Sequence, residues 1–170
     1  MSDIRQRMPL LARHEGVWDG WYRYYDAQGK LTDEHRSRLV CRFPDSGPFD
    51  YDQTNHYSWA DGRTDVRPFP AVLEGDRIVF KSELIEGWAA DVPLDTQART
   101  TMLHWTRRAE PGTYLYEMIH LSDCGIYRAR VWQWFHGGRL TQRTLIDEQR
   151  VSHNWRQISG SSFAGDPLAE

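Results

Sequence analysis

The sequence predicts an all-β fold: a single antiparallel up-and-down β-barrel of about 8–10 strands, preceded by a short N-terminal helix. Three observations carry that prediction. Turn signals recur at hairpin intervals, at Asp26-Ala27-Gln28-Gly29, Pro44-Asp45-Ser46-Gly47-Pro48, Asp61-Gly62, Glu74-Gly75-Asp76, Glu110-Pro111-Gly112, Asp123-Cys124-Gly125 and His136-Gly137-Gly138. Each supplies Gly for a positive φ or Pro for a preset one. The segments between them are rich in Tyr, Trp, Thr, Val and Ile, which suit a pleated, half-buried surface. The 170 residues also include 8 Trp, 8 Tyr and 6 Phe, far more aromatic surface than a disordered chain carries, in a length that fits one domain. A two-sheet sandwich explains the turns equally well, but does not call for so many Tyr, His, Gln and Asn at inward positions.

In chain order, Ile4, Met8 and Leu11 share one face and predict a helix over 2–14 that closes one end of the barrel, with Arg5, Arg7 and Arg13 in water. Strands fill 15–152. At 31–43, Leu31, His35, Ser37, Leu39, Cys41 and Phe43 face inward, and Glu34, Arg36, Arg38 and Arg42 form a solvated face. At 51–59, Tyr51, Gln53, Asn55, Tyr57 and Trp59 form the bulkier, inward face, and at 78–84 Ile78, Phe80, Ser82 and Leu84 point in. At 114–121, Tyr114, Tyr116, Met118 and His120 oppose Leu115, Glu117, Ile119 and Leu121, and neither face is clearly wet; Tyr116 is read as inward, with Tyr22, Tyr24, Tyr51 and Tyr57. Arg128, Arg130, Trp132 and Trp134 share a face, read as a cation–π ladder on the outer wall, the alternative being an inward Arg that binds a ligand carboxylate. The domain ends at 157, and the small, polar segment 158–170 reads as a flexible tail.

Twenty-one basic against 24 acidic residues give a formal charge of −3, so no partner in nucleic acid or an anionic membrane is expected. No apolar stretch approaches the ~20 residues that cross a bilayer. The start lacks a secretory signal, which places the protein in the cytoplasm with Cys41 and Cys124 reduced. Cys41 reads as a small buried residue and Cys124 as an exposed one. No His pair has the spacing of a zinc motif and no Cys-His cluster exists, so no metal is expected.

Gly16-Val17-Trp18, directly after the helix and at the start of the first strand, resembles the Gly-x-Trp opening of lipocalin-like (calycin) barrels. The order of helix, Gly-x-Trp strand, hairpins and basic last strand resembles bacterial cytoplasmic lipocalin-like domains of unassigned function and, more remotely, phycobiliprotein lyases and nitrobindin-type haem barrels. The resemblance implies a cavity for an apolar ligand. It also implies that Trp18 crosses the closed end under an Arg of the last strand, with Arg143 the first choice and Arg150 the second. It carries no reaction with it.

Among seven His, His35, His104 and His120 lie in strand-like segments. A symmetric turn at Ala109-Glu110-Pro111-Gly112 sets Met102 to His104 opposite Glu117 to Ile119, which makes His104 or His120 with Glu117 the candidate acid–base pair. Tyr22, Tyr24, His35, Gln53, Asn55, Tyr57 and Tyr116 are the candidate ligand-binding residues. The reading is a barrel that binds a small, largely apolar molecule, aromatic or isoprenoid-like. Acid–base chemistry on that molecule, such as isomerisation, cyclisation, hydration or decarboxylation, would make it a cofactor-independent lyase or isomerase. The alternative is a non-catalytic binder of a small molecule or haem, with His153 as axial ligand. A third reading is an interaction protein with a filled core, and an exposed Trp pair at 132 and 134 would mark a homodimer face.

Overall fold

A computed structural model of the protein describes residues 4–157. Two one-turn helices, α1 (Ile4–Arg7) and α2 (Pro9–Ala12), precede ten strands: β1 (Gly16–Asp26), β2 (Leu31–Arg42), β3 (Tyr51–Ser58), β4 (Thr64–Glu74), β5 (Arg77–Lys81), β6 (Ile85–Val92), β7 (Thr100–Arg107), β8 (Thr113–Leu121), β9 (Tyr127–His136) and β10 (Arg139–Ser152). A 3-10 turn follows at Trp155–Gln157. Each strand pairs antiparallel with its sequence neighbours, and β1 pairs with β10 as well as with β2, which closes the predicted barrel. The helix expected over 2–14 is two turns instead. Met8 stands at φ −129°, ψ 68°, outside the α region that a following proline disfavours, yet Ile4, Met8 and Leu11 are all buried as expected. Residues 2 and 3 and the tail 158–170 lie outside the described residues.

The helices cap one end. Leu10 and Leu11 donate their backbone N–H groups to Asp91 Oδ2 on β6, at 2.9 and 3.1 Å. Trp18 is fully buried there, donating Nε1–H to His14 O at 2.9 Å, with the guanidinium groups of Arg128 and Arg150 over its ring at 4.3 and 4.4 Å. The arginine of the last strand is therefore Arg150, not Arg143, and Arg128 joins it. Arg150 pairs directly with Trp18, and Arg143 stands seven positions earlier, an odd separation that turns its side chain to the outer wall.

Inward positions match large residues with small ones across the sheet. Gly87 pairs with Trp105, and a Cβ at Gly87 would stand 2.1 Å from His104 O and 2.4 Å from Trp105 Cβ. Gly87→Ala is therefore expected to force β6 and β7 apart and to cost about 1–3 kcal/mol, the usual range for overpacking. Urea denaturation would show this as a lower midpoint at unchanged slope.

The lower half of the interior holds an ion network where the sequence predicts an exposed ladder. Arg128, Arg130, Trp132 and Trp134 do share a face, but it points inward. Arg130 donates from Nε to Glu117 Oε1 at 2.5 Å and from Nη1 to Tyr22 Oη at 3.0 Å and Glu148 Oε1 at 3.2 Å. Arg128 donates to Glu148, and from Nη1 to His14 Nδ1 at 3.1 Å. The two arginines and two glutamates are each 4 % exposed or less. Burial opposes the charge on both guanidinium groups, but Glu148 beside Arg128 and Glu117 beside Arg130 outweigh it, and both pKa values move up. Burial and then Arg128 push His14 well down, so it stays neutral and accepts the bond. Arg38 departs from expectation in the same way: on the outer wall it is nearly buried, forked onto buried Asp19 at 2.6 and 2.7 Å.

Candidate functional site

Above the ion network the barrel is open. A deep space of about 40 Å³ remains between Gln53, Asn55, Glu117, Arg130 and their apolar neighbours, room for a few water molecules. Nearer the mouth lies a chamber of about 270 Å³ walled by Tyr24, Tyr57, Phe69, Trp105, Trp132 and Trp134, with Arg67 and Arg107 at its rim. A side lobe of about 210 Å³ adds Asp33, His35, Trp59 and Gln142. The three indoles meet because Trp105 and Trp134 both pair with Leu115, and Trp132 with Glu117. Trp105 and Trp134 stand edge to face, with centroids 5.2 Å apart. Trp134 donates Nε1–H to Thr144 Oγ1 at 3.1 Å, whereas Trp132 Nε1 is buried without a partner among the described residues.

The alternation on β3 builds a directional chain from core to chamber. Tyr51 Oη donates to Gln53 Oε1, Gln53 Nε2 to Asn55 Oδ1, and Asn55 Nδ2 to Tyr57 Oη, each at 2.7 Å. Residues two apart share a face of the strand, and amide side chains have the length to link head to tail. The chain fixes the Tyr57 ring in the chamber wall. Burial pushes the phenols of Tyr22, Tyr24 and Tyr57 upward, so all three are neutral.

On β2, His35 is 3 % exposed, with Tyr22 stacked on its ring at 5.2 Å and Trp59 at 4.3 Å. Its Nδ1 lies 3.2 Å from Asp33 Oδ2, and its Nε2 is buried without a partner among the described residues. Trp59 Nε1 lies 3.1 Å from both Asp33 oxygens and holds that carboxylate in place. Burial pushes the His35 pKa down, against the hydrogen bond to Asp33. At the rim, Arg67 donates from Nε to Asp65 at 2.7 Å and lies over Tyr57 at 5.6 Å. Arg107 donates from Nη1 to Glu110 at 2.6 Å and lies over Trp134 at 4.9 Å.

The wall has a seam beside the chamber. β4 pairs with β3 over 64–71 but with β5 only over 71–74. Ala71 O accepts from Asp50 N, and Leu73 N donates to Asp50 Oδ2, so odd positions of β4 aim their peptide groups at β3 and even ones at the unpaired edge. Pro68 and Pro70 occupy even positions and have no N–H to offer, and Asp65 Oδ1 accepts the N–H of Val66 at 2.9 Å. The edge is thus poor in donors for another strand, and Arg67 and Phe69 border an opening faced by Glu83, Leu84 and Ile85.

No protein-family model matches the chain and no curated protein matches it in sequence. Among solved structures it is similar to an S-type phycobiliprotein lyase, CPES, from Guillardia theta, at 15% identity and a TM-score of 0.63, covering 84% of this chain and 90% of that one. It is also similar to a protein of unknown function from the DUF3598 family of Nostoc punctiforme, at 17% identity and a TM-score of 0.59, covering 83% of this chain and 48% of that one. The chain spans about half the length of the Nostoc protein. The likeness is one of fold, a closed antiparallel barrel, here of ten strands.

Of the residues singled out in the sequence, Tyr24, His35 and Tyr57 line the chamber or its lobe, Gln53 and Asn55 line the deep space, and Tyr22 is buried beneath His35. Tyr116, His104 and His120 lie on the outer wall instead. Tyr116 is 46 % exposed, and the His104 ring sits among Trp88, Tyr114 and Tyr116. Glu117 points inward but meets Arg130, not a histidine. The register explains this: His104 pairs with Tyr116, and Glu117 with Leu103, and a slip of one residue exchanges the two faces of a strand. His153 is exposed beyond β10, 3.2 Å from Arg150, at the closed end. The Trp pair offered as a dimer face, Trp132 and Trp134, is inside. Cys41 is buried and Cys124 exposed, both free. Among the described residues no helix is long and apolar enough to cross a membrane, and no cluster of three or more His, Cys, Asp or Glu is placed to hold a metal ion.

Proposed function

We propose that this is a cytoplasmic protein whose mouth chamber takes up a small, flat, largely apolar molecule carrying an anionic group. The chamber wall carries the reading: three indoles, two phenols and Phe69 enclose about 270 Å³, near the lower end of the ~300–1,000 Å³ of ordinary ligand pockets. Flat aromatic walls favour a flat guest through offset and edge-to-face contacts. Arg67 and Arg107 supply forked donors at the rim, suited to a carboxylate or similar group. The likeness to a barrel that is a phycobiliprotein lyase is in keeping with this reading. The haem alternative draws no support from His153, which stands exposed at the end opposite the chamber.

Titration with 8-anilinonaphthalene-1-sulfonate, an aromatic anionic probe, is expected to quench tryptophan emission at one saturable site. Trp134→Ala should weaken that binding about tenfold, the worth of one aromatic contact of ~1.4 kcal/mol. Binding that does not saturate, or that ignores Trp134→Ala, would count against the chamber.

A further inference from the structure

We infer that Asp33 and His35 form a proton-accepting pair in the side lobe, and that the ligand carries an acidic hydroxyl, a phenol or an enol, which His35 Nε2 deprotonates. The inference rests on the chamber being the ligand site and adds a chemical step to it. Both residues lie on the inner face of β2, two positions apart, so the carboxylate stands beside the ring by strand geometry alone. Asp33 Oδ2 takes the Nδ1–H of His35 at 3.2 Å, and Trp59 Nε1, 3.1 Å from both Asp33 oxygens, keeps that carboxylate from turning away. With the proton on Nδ1, the Nε2 lone pair is left bare. That nitrogen is buried and lacks a partner among the described residues, in a side chain that lines the lobe. A buried ring nitrogen ordinarily finds a partner; a hydroxyl of the ligand would supply it.

The surroundings suit a base. Tyr22 and Tyr24 from β1 and Tyr57 from β3 pack against the ring and are neutral phenols. Trp59 covers another side. The charges facing His35 are Asp33 on its own strand, Arg67 from β4 and Arg63 from the turn between β3 and β4, with Arg107 and the neutral Gln142 across the lobe. Burial first, then the arginines, hold the ring neutral and ready to accept, while Asp33 favours the imidazolium once formed. In the step, the O–H bond breaks and an Nε2–H bond forms, and the electron pair stays on the ligand oxygen. Arg67 and Arg107 face the resulting oxyanion across the chamber.

4-Nitrophenol tests this, because only its phenolate absorbs in the visible. Bound to the protein, it is expected to ionise at a pH at least about one unit below that of the free probe, a differential stabilisation of ~1.4 kcal/mol. His35→Gln should still bind the protonated probe saturably but lose most of the shift, and Asp33→Asn should lose part of it. Binding with no shift, or a full shift in His35→Gln, overturns the proton-accepting pair and leaves the chamber standing. Absence of saturable binding overturns the chamber and this inference with it. Should His35→Gln fail to fold by circular dichroism, long-range 1H–15N spectra of the wild-type protein decide. The pair requires Nδ1–H with a bare Nε2 at neutral pH and protonation of Nε2 when the probe binds; an Nε2–H tautomer in the free protein, or an Nε2 still bare with probe bound, overturns it.

Discussion

Arg130→Met is expected to destabilise the protein by about 3–5 kcal/mol, the cost of removing one partner from a buried ion network. Arg130 touches Glu117 at 2.5 Å and Glu148 at 3.2 Å, and each glutamate is 4 % exposed or less. Without the guanidinium, Glu117 loses the only ion pair it makes among the described residues, and Glu148 keeps Arg128 alone. A carboxylate in that position must either stay charged in a poor solvent or take up a proton, and both routes weaken the fold. The double variant Glu117→Leu with Arg130→Met leaves the Arg128–Glu148 pair matched, and should recover most of the loss because an apolar pair of similar volume replaces a charged one. Urea denaturation of the three proteins measures this. A single variant within about 1 kcal/mol of wild type, or a double variant worse than the single one, would show that the network does not act as a unit.

Arg67→Gln and Arg107→Gln should each lower affinity for 2-naphthoate about tenfold, and together about a hundredfold, while binding of the neutral 2-naphthamide stays within a few-fold of wild type. Charge-assisted hydrogen bonds to carboxylate are worth about 1.5–3 kcal/mol when shielded. The lower end applies here, because the two side chains are 43% and 34% exposed and each already donates to a carboxylate, Asp65 or Glu110. The same exposure predicts that added salt weakens naphthoate binding in the wild type more than in the double variant. Calorimetric titration separates the two ligands. Equal losses for acid and amide would mean that the arginines shape the chamber without recognising charge.

The barrel is readable from the sequence because hairpin turns and the period of two are local signals. The face containing His35 is readable for the same reason: on β2 the charged residues crowd one side and the apolar ones the other. On β8 that contrast vanishes. Tyr116 and Met118 are 46 % and 40 % exposed while Leu115 and Leu121 are fully buried, so both faces are bulky, and a turn one residue out of symmetry decides which one carries Glu117. Arg128 and Arg130 escape a reading that sends charge to water, since their partners Glu117 and Glu148 lie 13 and 18–20 residues away on other strands. Arg67 and Phe69 are hidden in a segment whose Pro68 and Pro70 argue against a strand. The prolines are tolerated because their missing N–H groups would have faced the unpaired seam. Trp105 and Arg107 have no local signal of their own; they reach the chamber only through the register of β7 with β6 and β8.

Titrating 15N-labelled protein with 2-naphthoate reports on each indole N–H separately. A ligand site in the mouth chamber predicts saturable shifts at Trp105, Trp132 and Trp134, a smaller one at Trp59 in the lobe, and none at Trp18 under its two arginines, at Trp88 on the outer wall or at Trp155. Shifts centred on Trp88, beside the exposed wall of His104, Tyr114 and Tyr116, or no saturable shift at any chamber indole, would contradict it.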